Sequence, residues 1–220
     1  MNKSIKNKSL PKKEGGGKIL QFKITLNDSR PSIWRRIQVP SEYTFFELHV
    51  AIQDAMGWSD SHLHSFNIAQ KGTTVPIMIQ YPNPESDSEL DNDSLDERDE
   101  SVTNYFGKTV KQCVYEYDFG DSWDHTVLLE KEISPELGVK YPRCTAGKNA
   151  CPPDDCGGMG GYEHLKKVLK NPKHPDHDDM VDWLCIDNAS DFDPAEFSPR
   201  EVVFQNPKVV LRNYKRGFGV

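Results

Sequence analysis

Long hydrophobic runs are missing from this chain. No apolar stretch approaches the roughly 20 residues that a membrane helix needs, and Met1 to Lys18 carries lysines with no apolar segment behind them. A membrane-spanning or secreted protein is thereby disfavoured, and the expected location is cytoplasmic. Hydrophobic residues are also scarce overall, at 36%, but the shortage is concentrated in the N-terminal leader and in one acidic segment. The remainder of the 220 residues suffices to bury one core. Cysteine is sparse and odd in number: Cys113, Cys144, Cys151, Cys156 and Cys185. Without a secretory signal this argues against a disulfide framework and for free thiols or a metal cluster. Several catalytic signatures are absent as well. There is no nucleophile elbow, and Gly157-Gly158-Met159-Gly160-Gly161 is not followed by the Gly-Lys-Ser/Thr of a phosphate loop.

A concentrated basic face is the last thing lacking. The net charge is −7, and residues 82–103 alone hold nine acidic side chains and one arginine. Met1 to Lys18 holds six lysines against Glu14, so the body between and beyond is itself mildly acidic. Nucleic acid is a disfavoured partner on that distribution. The leader, with three consecutive glycines after Glu14, reads as a disordered basic segment over 1–18, and residues 82–103 as a solvated acidic loop. The folded domain is expected over 19–220.

Within that domain, Leu20, Phe22, Ile24 and Leu26 alternate as in a half-buried strand, and a second strand is expected over Trp34 to Val39 after a turn-rich Asn27 to Pro31. Thr44-Phe45-Phe46-Glu47 has the pattern of a capping box. Leu48, Ile52, Ala55 and Met56 follow at helical spacing and Gly57 ends the run, which predicts a helix over Phe45 to Met56. Further strands are expected at His62 to Ala69, Val75 to Gln80, Tyr115 to Phe119 and Trp123 to Glu130. In the last pair Gly120 is expected to supply an unusual turn conformation. Helical spacing returns at Tyr162 to Leu169 and after Pro175, and Ser198-Pro199-Arg200-Glu201 repeats the capping-box pattern. Strands followed by helices predict an α+β class: a single domain with a mostly antiparallel mixed sheet, one early helix and a helical C-terminal half.

Two constellations carry chemistry. His62 and His64 share one strand face by period-2 geometry, and His125 lies with Trp123 on another. If the strands are neighbours, His62, His64 and His125 with Asp121 could converge on a divalent metal or an acid–base pocket. Asp118, Trp58 and Trp123 would then border a ligand. The bland alternative is that the histidines bond backbone groups while the tryptophans fill the core. In the second constellation, Cys144, Cys151 and Cys156, read as parts of one cysteine-proline-glycine loop, could hold zinc, completed by His164, His174 or His177. Intervals of seven and five fit zinc spacing poorly, however, and packing of small apolar thiols is the favoured alternative. Trp34-Arg35-Arg36 could contact phosphate, though an alternating strand explains it more simply. The aspartates of His174-Pro175-Asp176-His177-Asp178-Asp179 suit the first turn of a helix.

Four stretches together resemble the plasmid ORF-three-like family: Phe22 to Pro40 with Pro31-Ser32-Ile33-Trp34-Arg35-Arg36; Thr44 to Phe66 with His62-Leu63-His64-Ser65-Phe66; Tyr115 to His125; and Pro142 to Phe197 with Cys151-Pro152-Pro153-Asp154-Asp155-Cys156-Gly157-Gly158. The resemblance implies a single α+β domain and no established function. Some members carry transposon-passenger or resolvase-like labels, but a serine recombinase needs a basic DNA-facing surface that this acidic body lacks. The expectation is therefore a binding or regulatory module for an unknown ligand or protein partner, with possible metal binding. The alternatives are a metal-dependent hydrolase built on the His/Asp cluster and a DNA-associated accessory protein of a mobile element.

Overall fold

A computed structural model describes residues 17–82, 94–107 and 110–217, with side chains as far as 214. Residues 1–16 of the leader and 83–93 of the acidic segment lie outside the described residues. Eight strands form one sheet: β1 (Ile19–Leu26), β2 (Ile33–Pro40), β3 (His64–Ile68), β4 (Ile77–Gln80), β5 (Leu95–Asp96), β6 (Gln112–Tyr117), β7 (Trp123–Ile133) and β8 (Arg143–Lys148). Their order is β5-β4-β3-β6-β7-β1-β2-β8. Every pairing is antiparallel except β4 with β5. Helix α1 (Phe45–Met56) covers one face, and α2 (Gly158–Leu169), α3 (His177–Trp183) and α4 (Pro207–Gly217) follow the sheet in sequence. The expected α+β class with a mostly antiparallel mixed sheet is the observed one. Among the described residues no helix is long and apolar enough to cross a membrane.

The sheet has one buried face because its registers align the apolar positions. Phe66, Tyr115, His125, Leu26 and Ile33 lie opposite one another across five strands, with His64, Tyr117 and Trp123 in the adjoining row. Residues opposed across a ladder point the same way, so both rows face α1. The helix begins where the sequence says it should. The Thr44 side chain accepts from the Glu47 amide, Glu47 reciprocates at the Thr44 amide, and Gly57 at φ 95° closes the other end. Arg35 ties the helix to the sheet. It is 1% exposed, donates Nε to the Ala55 carbonyl, and shares Nη1 among the Trp34, Lys148 and Asn149 carbonyls. Its guanidinium also lies 3.7 Å from the Phe197 ring. The Trp34-Arg35-Arg36 run thus alternates across β2: Arg35 points inward, while Arg36 on the open face makes a fork to Glu130 at 2.6 and 2.7 Å.

Four local expectations need correction. The acidic segment is not simply a solvated loop where it is described. Its later part forms β5, Glu97 is fully buried, and the Glu97 and Glu100 carbonyls accept the Phe46 and Phe45 amides. Those amides are orphan donors in the first turn of α1, and the segment supplies their acceptors. Cys144 lies in β8 rather than in a loop. In the β6–β7 turn the left-handed residues are Asp118 and Ser122, not Gly120; Asp118 Oδ1 accepts the Gly120 and Asp121 amides and holds the turn. Finally, Ser198 to Glu201 makes only a turn. Val202 and Phe204 instead pack on the core, and the last helix starts after Asn206.

Candidate metal centre

The chemistry that the fold concentrates lies between α1 and β3. His49 is on the buried side of α1, one turn before Gln53, and is fully enclosed. His64 opens β3 and is 4% exposed. Their imidazoles stack face to face, with centroids 3.4 Å apart and planes within 1°. Each ring has a carboxylate of its own. His49 Nε2 is 2.9 Å from Asp60 Oδ1, and His64 Nε2 is 2.7 Å from Glu97 Oε2. At its other nitrogen, His49 Nδ1 is 2.8 Å from the Tyr115 hydroxyl, which also accepts a hydrogen bond from Gln53 Nε2. Tyr214 of α4 places its hydroxyl 3.4 Å from His49 Nε2. One atom each from His49, Asp60 and His64 lies within 4.8 Å of the others.

Local structure explains the placement. Asp60 adopts φ 59° in the loop leaving α1, a conformation uncommon outside glycine, asparagine and aspartate. Glu97 is fixed by its amide, which donates to the Gln80 carbonyl. Tyr214 is delivered by α4, which docks on α1 through Val210 against Phe46 and Val50, after Gln205 has bonded Asp54 through both its amide nitrogens. Electrostatics then shape the protonation. Burial, with the neighbouring His64 second, pushes the His49 imidazole below its usual range. Burial alone would push the Asp60 carboxyl up, but His49, the Tyr214 hydroxyl and His64 together bring it below its usual range. Tyr214 is driven well up, by burial first and by Asp60 second. Glu97 Oε1 and Gln53 Oε1 are buried and have no hydrogen-bond partner among the described residues.

The geometry does not gather the sequence-derived His62, His64 and His125 into one cluster. His64 belongs to the pair just described. His62 falls outside β3 in the preceding loop, where it forms a separate, half-exposed group with Asp155 at 3.0 Å and Asp118 at 3.7 Å. His125 is in the core, with Nδ1 3.3 Å from the Tyr115 carbonyl and its ring edge-on to Trp58 at 5.1 Å; burial lowers its pKa to about 4. Asp121 accepts the Gly157 amide and so caps α2. Trp58 and Trp123 are buried rather than lining a ligand cleft: Trp58 stacks on Tyr117 at 4.9 Å and donates to the Pro152 carbonyl. The glycine run serves the same junction. A Cβ at Gly158 would come within 2.7 Å of the Asp121 carbonyl oxygen, and the site that a phosphate would take at the helix N-terminus is held by the Asp121 carboxylate.

Cys144, Cys151 and Cys156 are partly buried and pack against the core. Burial pushes all three thiols up, Cys156 to about 12, which opposes the thiolate form that zinc requires. Among the described residues, neither group of three or more side chains with ligand atoms within 4.8 Å of one another contains a cysteine. The residues that sequence reasoning missed are His49, Asp60, Glu97, Tyr115 and Tyr214. A histidine on the apolar stripe of a capped helix was the one available signal.

Comparison with known proteins gives a consistent identity for the scaffold. The sequence model described as "Plasmid pRiA4b ORF-3-like protein" matches residues 18–201, a span that holds His49, Asp60, His64, Glu97 and Tyr115 but not Tyr214. An uncharacterized protein of Sinorhizobium fredii, y4hQ, is 32% identical over 178 residues, covering 80% of this chain and 84% of that protein. The crystal structure of a protein of unknown function from Methanosarcina mazei Go1 has a TM-score of 0.75 and 40% identity, covering 86% of this chain and 99% of the other. No activity is established for these relatives.

Proposed function

The chain belongs to the plasmid pRiA4b ORF-3-like family, and we propose that it is a cytoplasmic binding and regulatory module whose resident ligand is a divalent transition-metal ion held by His49, Asp60 and His64, with Glu97, which lies outside that trio beside His64, drawn in as a fourth ligand when the ion binds. The observation that carries this reading is a charge imbalance in a closed space. The buried Glu97 carboxylate and the partly buried Asp60 carboxylate flank two buried imidazoles, and Glu97 Oε1 has no partner among the described residues. Protonating both stacked imidazoles would balance the charge only by pressing two cations together at 3.4 Å. A divalent ion balances both carboxylates with both imidazoles neutral. The donor set of two nitrogens and two carboxylates suits zinc, iron or manganese better than calcium.

The supporting groups suit the same role. When His49 Nε2 binds the ion, Nδ1–H donates to the Tyr115 hydroxyl, which has a second lone pair for Gln53, and the ring is thereby oriented. Because the rings are parallel, no point lies on both lone-pair axes, so binding requires them to splay apart. Burial of the ligands favours a closed centre over a hydrolytic one, where a coordination position stays open to water. Cobalt(II) titration tests the assignment. Tag-free chelated protein is expected to develop a saturable visible d–d spectrum at one equivalent, and His64→Ala to abolish it. An unchanged spectrum in His64→Ala would remove these residues from the centre.

A further inference from the structure

We propose that the cleft between α2 and the β1–β2 turn is a binding site for a small organic phosphate of about nucleoside-monophosphate size. The cleft has a volume of about 360 Å³, within the range of small-molecule sites. On one side α2 contributes Glu163, Lys166, Lys167 and Lys170. Their spacing of three, four and seven residues sets them in a single stripe along the helix. Arg30 faces them from the β1–β2 turn, and Pro31, Ile33, Tyr162 and Pro194 supply apolar wall.

Four cations thus share one cleft with a single carboxylate in a chain of net charge −7. Glu163 is already engaged, with its Oε1 2.6 Å from Lys166 Nζ. Arg30, Lys167 and Lys170 have no acidic partner within ion-pair distance among the described residues. Lysines near a helix C-terminus are favoured by the helix dipole wherever they point, which accounts for part of the stripe. It does not account for an arginine from a different element lining the same space. Like charges gathered around a concave surface raise the potential inside it, and a phosphate offers the arginine a planar, two-pronged contact. The apolar wall then selects an anion with a flat organic body over a bare ion. The site shares no residue with the metal centre.

Calorimetric titration of the full chain with adenosine monophosphate, inorganic phosphate and adenosine tests this. Adenosine monophosphate is expected to bind with a stoichiometry of one, inorganic phosphate more weakly, and adenosine not measurably. The exposed pair Lys167→Ala with Lys170→Ala should weaken adenosine monophosphate roughly tenfold or more while leaving the circular-dichroism melt intact, since alanine is a strong helix former. Three results would overturn the proposal: no heat from adenosine monophosphate at up to about 5 mM; binding unaffected by the double variant, which would assign it to the lysine-rich leader; or duplex DNA bound more tightly through the same lysines.

Discussion

Replacing Glu97 by glutamine separates a metal centre from a purely hydrogen-bonded cluster, because the two predict opposite orders of stability. The substitution keeps the shape and an oxygen facing His64 Nε2, now 2.7 Å from Oε2, and replaces the buried carboxylate by a neutral amide. If a metal is bound, the folded state gains about 4 kcal/mol when free ion is a thousandfold above its dissociation constant. For a chain of 220 residues each kcal/mol moves the melting temperature by roughly 2–4 °C, so chelation should lower the wild-type midpoint by about 8–16 °C. Glu97→Gln should lose most of that gain before chelator is added. After chelation it should melt at or above the wild type, since the uncompensated buried carboxylate has gone. Circular-dichroism melts of both proteins, with and without chelator, give the four midpoints. A wild-type midpoint indifferent to chelator, together with a variant lowered equally in both conditions, would refute the reasoning and leave only a hydrogen-bonded network.

Acid should weaken the fold through His125. Its folded pKa of about 4 lies below the ordinary 6.5, so the unfolded chain binds more protons between those values. Stability is intact above about pH 6.5 and falls by about 3 kcal/mol as pH drops toward 4, with buried His49 adding in the same direction. Urea midpoints at pH 7 and 4.5 check this, and a flat profile would contradict it. Arg35→Met removes the donor that Arg35 gives to the carbonyls it serves and should cost about 3–5 kcal/mol; a urea-derived loss below about 1 kcal/mol would be evidence against the anchoring role. Within α2, a Cβ at Gly161 would overlap the Cys156 carbonyl oxygen at 1.7 Å, whereas one at Gly160 meets nothing within 4 Å. Gly161→Ala should therefore lose more than about 2 kcal/mol, and Gly160→Ala should gain up to about 1 kcal/mol from helix propensity; equal melting temperatures would be the contrary result.

The backbone was legible wherever one short-range rule governed it. Thr44 and Glu47 mark the start of α1 and Gly57 its end, as the capping geometry confirms, and period-2 spacing places His64, Trp123 and His125 on the face they occupy. What a shared face cannot tell is which neighbours a side chain meets across it. His64 and His125 flank the same tyrosine, Tyr115, with ring centroids 5.9 and 5.5 Å away, yet one pairs with a carboxylate and the other with a backbone carbonyl. Glu97 was illegible for another reason. It sits among like charges that favour water, and only the need of Phe45 and Phe46 for amide acceptors, together with the imidazole of His64, draws it inside. Asp60 and Tyr214 lie 11 and 165 positions from His49, and no local pattern joins them.

Elemental analysis of the chain, purified without an affinity tag and without added metal, is the most direct test of the centre. The account predicts about one zinc, iron or manganese per chain, retained through gel filtration and lost in Glu97→Gln and His64→Ala alike. A wild-type protein that carries no stoichiometric metal and takes up none of the three ions on reconstitution would contradict it.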